Sequence, residues 1–257
     1  MELELKDRVA IVTGASRGIG RAIAETLAAE GMKLALAART PSGLEETARR
    51  CATETLILPL DLRQAEAPAA LAAAAVERFG RLDLLVNNAG ATRRGDFFEL
   101  TDADWQDGFA LKFYGAMRLC RAVWPWLQAS QGAIVNIVGI GGRTGSAEFT
   151  IGGAVNAALL NLTKALAERG VHDGVRVNAI NPGSIATERL QTRIQSLAAG
   201  QGLSLEQAAQ TMAHKLGVGR FGEPQEIARA VAFLASPAAS YCQGVIFDVD
   251  GGQTRTL

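Results

Sequence analysis

Three closely spaced glycines lie in the stretch Val12-Thr13-Gly14-Ala15-Ser16-Arg17-Gly18-Ile19-Gly20. The apolar run from Val9 to Val12 predicts a buried strand, and the Ala/Leu-rich pattern from Arg21 to Glu30 predicts a helix. Because glycine has no Cβ, the backbone between them can turn sharply, and a phosphate can approach the free N–H groups at the start of the helix. The stretch therefore predicts a pyrophosphate site.

The spacing of these glycines is Gly-x3-Gly-x-Gly, which differs from the Gly-x-Gly-x-x-Gly fingerprint of dinucleotide-binding turns. A glycine-rich turn also occurs as a plain connection between a strand and a helix. Its position favours the phosphate site, because it follows the first strand of a long pattern of alternating strands and helices.

Seven short apolar segments alternate with Ala-rich segments of helical length. The predicted strands are Val9 to Val12, Lys33 to Ala38, Thr55 to Leu60, Leu82 to Asn87, Ala133 to Val138, Val175 to Ile180 and Val245 to Val249. Such a pattern is typical of an α/β fold with a parallel sheet covered on both faces. No linker divides the chain, so residues 1–257 are predicted to form a single domain, in which the polar stretch 188–219 is an insertion that shapes a substrate lid.

The composition argues against several classes of partner. The chain has 26 Lys and Arg and 26 Asp and Glu, so its formal net charge is zero and neither nucleic acid nor an anionic membrane is an expected partner. No apolar run is as long as a signal peptide or a membrane span, which predicts a soluble cytoplasmic protein. Cys51, Cys120 and Cys242 form no C-x-x-C motif and are expected to be inert thiols. His172 and His214 lie far apart, and no metal site is predicted.

Two arginines indicate which dinucleotide the site takes. In dinucleotide folds an acidic residue after the second strand binds the 2′-hydroxyl of NAD, whereas an arginine there accepts the 2′-phosphate of NADP. Arg39 follows the second predicted strand, and Arg17 lies inside the glycine-rich turn. We therefore predict NADP rather than NAD, the alternative being that these arginines are merely solvated. Asp61, after the third strand, can accept a hydrogen bond from the adenine amino group.

Several motifs together resemble the short-chain dehydrogenase/reductase family over nearly the whole chain. They are Thr13-Gly14-Ala15-Ser16-Arg17-Gly18-Ile19-Gly20, Asp61-Leu62, Asn87-Asn88-Ala89-Gly90, Gly132-Ala133-Ile134-Val135-Asn136-Ile137, Arg176-Val177-Asn178-Ala179-Ile180-Asn181-Pro182-Gly183 and Asp248-Val249-Asp250-Gly251-Gly252. The resemblance implies a single Rossmann-type, doubly wound domain with a seven-stranded parallel sheet and helices on both faces. It also implies a nicotinamide cofactor, a small-molecule substrate, and a homodimer or homotetramer joined through long helices.

The same resemblance assigns residues to the two halves of the cofactor. The residues expected around the adenosine half and the phosphates are Gly14, Ser16, Arg17, Gly18, Ile19, Gly20, Arg39, Asp61, Leu62, Asn87, Asn88, Ala89 and Gly90. Those expected near the nicotinamide are Pro182, Gly183, Ile185 and Thr187.

The four catalytic positions of the family are changed in this sequence. In the family a tyrosine gives a proton to the substrate carbonyl, a lysine four residues later lowers the pKa of that tyrosine, a serine orients the carbonyl, and an asparagine supports a proton-relay water. An alignment without gaps predicts Gly139 in place of the serine, Gly152 of the tyrosine, Asn156 of the lysine and Lys112 of the asparagine. No tyrosine lies between Tyr114 and Tyr241 to replace the missing one.

These substitutions leave several interpretations open. Lys112 and Asn156 have exchanged the family's two residue types, so the Lys112 ammonium could reach the nicotinamide ribose from the opposite helix; the alternative is a solvated lysine. The glycines predict an enlarged cavity, to be filled by a bulky ligand, ordered water or a displaced side chain. Glu148 is a candidate acid only if burial raises its pKa, and is otherwise a solvated loop residue.

Two functions follow from this reading. The first is an NADP(H)-dependent oxidoreductase that acts on a carbonyl or an alcohol with a rearranged proton donor. The second is a cofactor-binding or ligand-sensing protein without turnover. The fold cannot discriminate between them, because activity depends on the site.

Overall fold

A computed structural model describes residues 2–255 of the chain. Seven parallel strands form one sheet in the order β3-β2-β1-β4-β5-β6-β7. The strands are β1 (Val9–Thr13), β2 (Lys33–Ala38), β3 (Thr55–Pro59), β4 (Leu84–Asn87), β5 (Ala133–Ile137), β6 (Arg176–Pro182) and β7 (Ile246–Val249). This arrangement confirms the predicted doubly wound, Rossmann-type fold. The strand order reverses direction between β1 and β4, and open sheets of this kind bind ligands at the carboxyl ends of the strands at that point.

Helices cover both faces of the sheet. They are α1 (Gly18–Ala29), α2 (Pro41–Arg50), α3 (Ala67–Phe79), α4 (Asp102–Phe109), α5 (Ala116–Ser130), α6 (Thr150–Asp173), α7 (Glu188–Gln201), α8 (Leu205–Leu216) and α9 (Pro224–Ala235). One apolar core packs α1 and α9 against the sheet, and a second lies under α3 and α5 on the opposite face. Within residues 2–255 no helix is long and apolar enough to cross a membrane.

The predicted strands are all present, and the differences lie at their ends. Strand β4 begins at Leu84 rather than Leu82, because the buried Asp83 carboxylate accepts a hydrogen bond from the Val9 backbone N–H at 2.9 Å just before the ladder starts. Helix α1 begins at Gly18 rather than Arg21, so the last two glycines of the turn belong to its first turn.

A π-helical segment, Ala110–Gly115, joins α4 to α5. Each π turn is wider than an α turn, and such segments are frequent at functional sites because they change the direction in which side chains point. Lys112 lies in the middle of this segment. The Lys112 side chain therefore leaves the helix in a different direction from the one that a regular α-helix would give it.

The polar stretch that lacks a strand forms α7 and α8. The first turn of α7 reaches the loops at the carboxyl edge of the sheet. Glu188 binds Arg17 in the glycine-rich turn at 2.8 Å, and the Arg189 guanidinium donates to the Gly90 carbonyl at 3.1 Å. The start of α7 therefore lies beside the crevice at which β1 and β4 end.

Candidate active site

The glycine-rich turn after β1 has a backbone that side chains would disrupt. Gly14 and Gly18 have φ angles of +67° and +56°, in the left-handed region that favours glycine. A Cβ on Gly20 would overlap the Gly14 carbonyl oxygen. The turn and the start of α1 are therefore packed closely, as a phosphate site at the N-terminus of a helix requires.

A second loop, which follows β4, is fixed to this turn by hydrogen bonds. The Thr13 hydroxyl accepts from the backbone N–H groups of Asn88 and Ala89, both at 3.0 Å. The Asn88 side-chain amide donates to the Thr13 carbonyl at 2.9 Å. The buried Asn87 side chain donates to the Asn136 amide oxygen at 2.9 Å, inside the fold.

The residues expected around the adenosine ribose are placed at the rim of the crevice. Arg39 is exposed at the end of β2. The Asp61 carboxylate accepts from the backbone N–H of Arg63 at 3.1 Å and from its guanidinium at 3.3 Å. Asp61 is therefore already engaged within its own loop, while Arg39 remains accessible to an anionic group.

The residues expected near the nicotinamide lie at the end of β6 and just beyond it. A Cβ on Gly183 would lie 2.7 Å from Asp250 Cα, so the chain after β6 packs closely on the segment after β7. Ile185 forms a bridge to Gly222. Thr187 faces the glycine-rich turn, since a Cβ added to Gly18 would lie 3.5 Å from the Thr187 Cγ2 atom. The structure thus brings both predicted halves of the cofactor site to one edge of the sheet.

Lys112 points into this edge and is not a solvated lysine. Its aliphatic chain packs on Gly90, where an added Cβ would lie 3.0 Å from Lys112 Cδ. The Nζ atom donates to the Val138 carbonyl at 2.5 Å, directly after β5. Desolvation, and to a smaller extent repulsion by Arg189, lower the pKa of the Lys112 ammonium to about 7. Lys112 can therefore exchange a proton near neutral pH.

Asn156 and Gly139 face each other beside this lysine. The Asn156 amide donates to the Gly139 carbonyl at 3.4 Å, and its Oδ1 atom is buried without a hydrogen-bond partner. Gly139 has a φ of +126° and a ψ of 145°, a conformation that is essentially restricted to glycine. The backbone conformation at position 139 therefore requires glycine.

Phe149 occupies the space that a side chain at position 152 would take. A Cβ on Gly152 would overlap the Phe149 ring, and one on Gly141 would lie 2.9 Å from the same ring. Of the three occupants expected for the space that the glycines leave, the structure has a displaced side chain, the Phe149 ring. What remains is a shallow depression of about 360 Å³ beside the turn after β5, and Phe149 forms part of its wall.

The other candidate groups lie outside the crevice. Glu148 is exposed, so the burial that an acid would need is absent. The Tyr114 ring is 44% exposed and lies 5.5 Å from the Arg118 guanidinium carbon. Cys120 is a buried free thiol whose pKa is raised to about 12 by desolvation, as expected of an inert cysteine. Within residues 2–255 no cluster of three or more His, Cys, Asp and Glu side chains is arranged for a metal ion.

Sequence reasoning missed Phe149 and Arg94. The Arg94 guanidinium carbon lies 4.1 Å from the centroid of the Phe149 ring. The two residues are 55 positions apart, so no local periodicity could have paired them. The available signal was the presence of glycines at 141 and 152, which implies a bulky neighbour as readily as an empty cavity.

Comparisons with known proteins cover nearly the whole chain. The family model described as Enoyl-(Acyl carrier protein) reductase matches residues 14–254. The 3-oxoacyl-(acyl carrier protein) reductase FabG of Vibrio cholerae is 36% identical over 97% of this chain and 98% of its own. The short-chain reductase protein NovJ of Streptomyces niveus is 37% identical over 96% of this chain and 94% of its own.

Solved structures agree with these relatives. The crystal structure of L-sorbose reductase from Gluconobacter frateurii, complexed with NADPH and L-sorbose, superposes with a TM-score of 0.96. It is 34% identical, and the match covers 100% of both chains. The fold, the crevice and the extent of these matches lead to one conclusion: the chain belongs to the short-chain dehydrogenase/reductase family.

Proposed function

We propose that the protein is an NADP(H)-dependent oxidoreductase that interconverts a carbonyl and an alcohol, with Lys112 as the proton donor. The observation that carries this proposal is the position of the Lys112 ammonium. It lies between Gly90 and the Val138 carbonyl, at the carboxyl edge of the sheet and next to the close-packed dinucleotide turn. A complete nucleotide site and a titratable group at neutral pH are the two components that carbonyl reduction needs.

The residues present fit a dinucleotide. The turn from Gly14 to Gly20 admits no side chains at its tightest points, and it presents the start of α1 to an anion. Arg17 lies within this turn, and Thr187 faces it from the segment after β6. When bound, the cofactor supplies the hydride. The protein orients the two reactants and supplies the proton.

Lys112 is the titratable side chain that lies in the crevice. Reduction of a carbonyl consumes one hydride and one proton, and an ammonium with a pKa of about 7 can give that proton from Nζ and recover it from solvent. Glu148 is exposed, and Gly139, Gly152 and Asn156 carry no acidic group. We therefore place proton transfer on Lys112 and treat the usual serine, tyrosine and lysine as absent.

The relatives support a carbonyl substrate. One is named a 3-oxoacyl-(acyl carrier protein) reductase, and the structural neighbour L-sorbose reductase was solved with NADPH and a ketose. Their shared chemistry is reduction of a ketone. We extend that reaction class to this chain, with α7 and α8 as the lid over the substrate.

We also propose that the protein is a homodimer or homotetramer formed through its long helices. Trp126 on α5 and Val171 on α6 leave 44% and 67% of their surface exposed. Large apolar side chains on such helices are suited to burial between subunits. Light scattering on the purified protein would give the subunit number.

Replacing Arg39 with aspartate is expected to weaken NADPH binding by about tenfold or more and to leave NADH binding less affected. The reason is that a charge-assisted contact to the 2′-phosphate is lost and a like charge takes its place. Fluorescence titration with both cofactors measures the ratio of their Kd values. Arg229→Ser, which changes an exposed arginine on α9, is the control. An unchanged ratio in Arg39→Asp would contradict the preference for NADP.

A cofactor-binding protein without turnover is the second candidate. Phe149 favours it, because its ring fills the space at position 152 where a proton donor would otherwise stand. Under this reading the protein binds NADPH and reports on a ligand. Lys112 then serves only to hold the cofactor or the end of β5.

The test that separates the two functions has two steps. NADPH affinity is measured first by fluorescence titration, followed by single-turnover oxidation of bound NADPH across a panel of ketones, aldehydes and quinones. Oxidation of NADPH by any member of the panel supports the oxidoreductase. Tight binding of NADPH without its oxidation at any pH would rule out the oxidoreductase and support the cofactor-binding protein without turnover.

A further inference from the structure

Arg94 is held over the candidate site by an aromatic ring instead of a carboxylate. Its guanidinium lies 4.1 Å from the centroid of Phe149, which is wedged between Gly141 and Gly152. The loop that carries Arg94 is also tied to that region, because the Gly95 N–H donates to the Glu148 carbonyl at 3.3 Å. Stacking positions a guanidinium while leaving its N–H donors available.

Two further arginines approach from α7. Arg189 and Arg193 are four residues apart and therefore lie on the same face of that helix. Arg189 donates to the Gly90 carbonyl at 3.1 Å, so this face of α7 lies against the loop that continues to Arg94. Desolvation lowers the pKa of the Arg94 guanidinium, and repulsion by Arg193 and Arg189 adds to this effect.

The surrounding carboxylates do not neutralise this cluster. Glu188 is engaged by Arg17 at 2.8 Å, and Asp104 by Arg93 at 3.0 Å. Glu148 attracts Arg94 but forms no ion pair with it. Within the part of the chain that the structure describes, Arg94, Arg189 and Arg193 form no ion pair. Three like charges at one rim raise the free energy of the empty protein, and an anion would relieve it.

The cluster has two sides with different neighbours. Arg189 touches Gly90 and lies near Arg17, so it borders the expected path of the cofactor. Arg94 stacks on Phe149, beside position 152, where the family's donor meets the substrate. Arg94 therefore lies on the substrate side of the crevice, and Arg193 lies one helical turn beyond Arg189 on the same face of α7.

We propose that Arg94 and Arg193, with Arg189 behind them, bind an anionic group of the substrate, a carboxylate or a phosphate. Arginine is suited to both, because its planar donors match pairs of oxygen atoms. The inference rests on the proposed function, since it names the class of carbonyl compound that the site accepts. The substrate is then a ketone or an aldehyde that carries a negative charge.

The test compares charged ketones with neutral ones of the same skeleton. NADPH-loaded protein is titrated in a calorimeter with levulinate and methyl levulinate, and with dihydroxyacetone phosphate and dihydroxyacetone. We expect at least one charged member to bind about tenfold or more tightly than its neutral partner. The pair that shows the larger difference identifies carboxylate or phosphate as the anionic group.

Variants connect this preference to the arginines. Arg94→Gln and Arg193→Gln are each expected to weaken binding of the charged ketone about tenfold or more, with little effect on the neutral one or on NADPH. Arg94→Met is a second variant, because it retains an apolar contact with the Phe149 ring. Arg49→Gln, on the exposed end of α2, is the matched control.

The outcomes separate this inference from the proposed function. Equal binding of charged and neutral ketones, or an anion preference that survives both substitutions, overturns the anion site. Loss of the preference in the variants supports it. If anions bind through these arginines but no ketone oxidises NADPH, the result supports the anion site and contradicts the proposed oxidoreductase function. If only neutral ketones are reduced, the result supports the oxidoreductase function and contradicts the anion site.

Discussion

Replacing Lys112 with methionine is expected to lower kcat for carbonyl reduction by about 100- to 10,000-fold, the usual contribution of a general acid. Methionine keeps most of the side chain's volume against Gly90 but removes the ammonium that donates to the Val138 carbonyl. NADPH affinity should change much less than kcat, because the glycine-rich turn is untouched. Single-turnover oxidation of NADPH and a fluorescence titration measure the two quantities separately.

The pH profile distinguishes a proton donor from a residue that only holds the structure. The pKa of Lys112 is lowered from 10.5 to about 7. Reduction uses the ammonium, so its rate should fall as the pH rises through about 7, whereas alcohol oxidation uses the free amine and should rise over the same range. Lys112→Met should lose both dependences, and Lys6→Met, an exposed control, should keep them. Wild-type kcat and pH profiles in Lys112→Met would refute the assignment.

The same pKa makes the free energy of unfolding depend on pH. Between about 7 and 10.5 the unfolded chain keeps the Lys112 proton while the folded protein has lost it, so the unfolded state binds more protons. Stability from this group therefore rises with pH across that window, and its destabilising effect is greatest below pH 7. Urea unfolding of wild type and Lys112→Met at both ends of the window should show this trend in the wild type alone.

The fold could be predicted from the sequence because its signals are local. Each strand is a short apolar run, and the turn after β1 has glycine at the three positions, 14, 18 and 20, where its backbone conformation or close packing favours glycine. A parallel sheet also brings the carboxyl ends of all strands to one edge, so motifs far apart in the chain could be assigned to one site. The topology confirms that reasoning.

The interior of the site could not be predicted in the same way. The sequence alignment predicted a helix around Lys112, but it gave no sign of the π-helical turn that contains this residue or of the desolvation that lowers its pKa. A displaced side chain was one of three occupants predicted for the space beside Gly152, but the sequence did not identify it as Phe149, which comes from a 3-10 turn just before α6. The contact of Arg94 with that ring depends on two loops that meet only in the folded chain. Side-chain packing between distant segments has no signature in periodicity or spacing.

Substituting Gly152 is expected to destabilise the protein by about 1–3 kcal/mol, the usual penalty for overpacking. Gly152 is helical, so alanine would otherwise gain up to ~1 kcal/mol of helix propensity. Its Cβ, however, would overlap the Phe149 ring. In a Phe149→Ala background the overlap is gone, and Gly152→Ala should become neutral or stabilising.

Neighbouring Gly153 provides the matched control. It lies in the same turn of α6, but its Cβ would meet only the Gly141 carbonyl oxygen, at 3.2 Å. Gly153→Ala should therefore change stability by less than about 1 kcal/mol, with or without Phe149. Urea unfolding of the four Gly152 and Phe149 combinations gives the coupling free energy directly. A coupling near zero would show that the ring does not occupy this space.

A tyrosine at position 152 extends this prediction to catalysis. The variant Lys112→Asn, Gly152→Tyr, Asn156→Lys introduces the residue types that the sequence alignment predicts for three positions of the family's site, and it leaves Gly139 in place, since its φ of +126° disfavours serine. With Phe149 present, the tyrosine competes with the ring and should give no more NADPH oxidation than Lys112→Asn alone. Adding Phe149→Ala frees the space, and oxidation of NADPH by ketones should then rise above that background. Equal activity with and without Phe149 would mean that the ring is not what keeps a phenol out of this site.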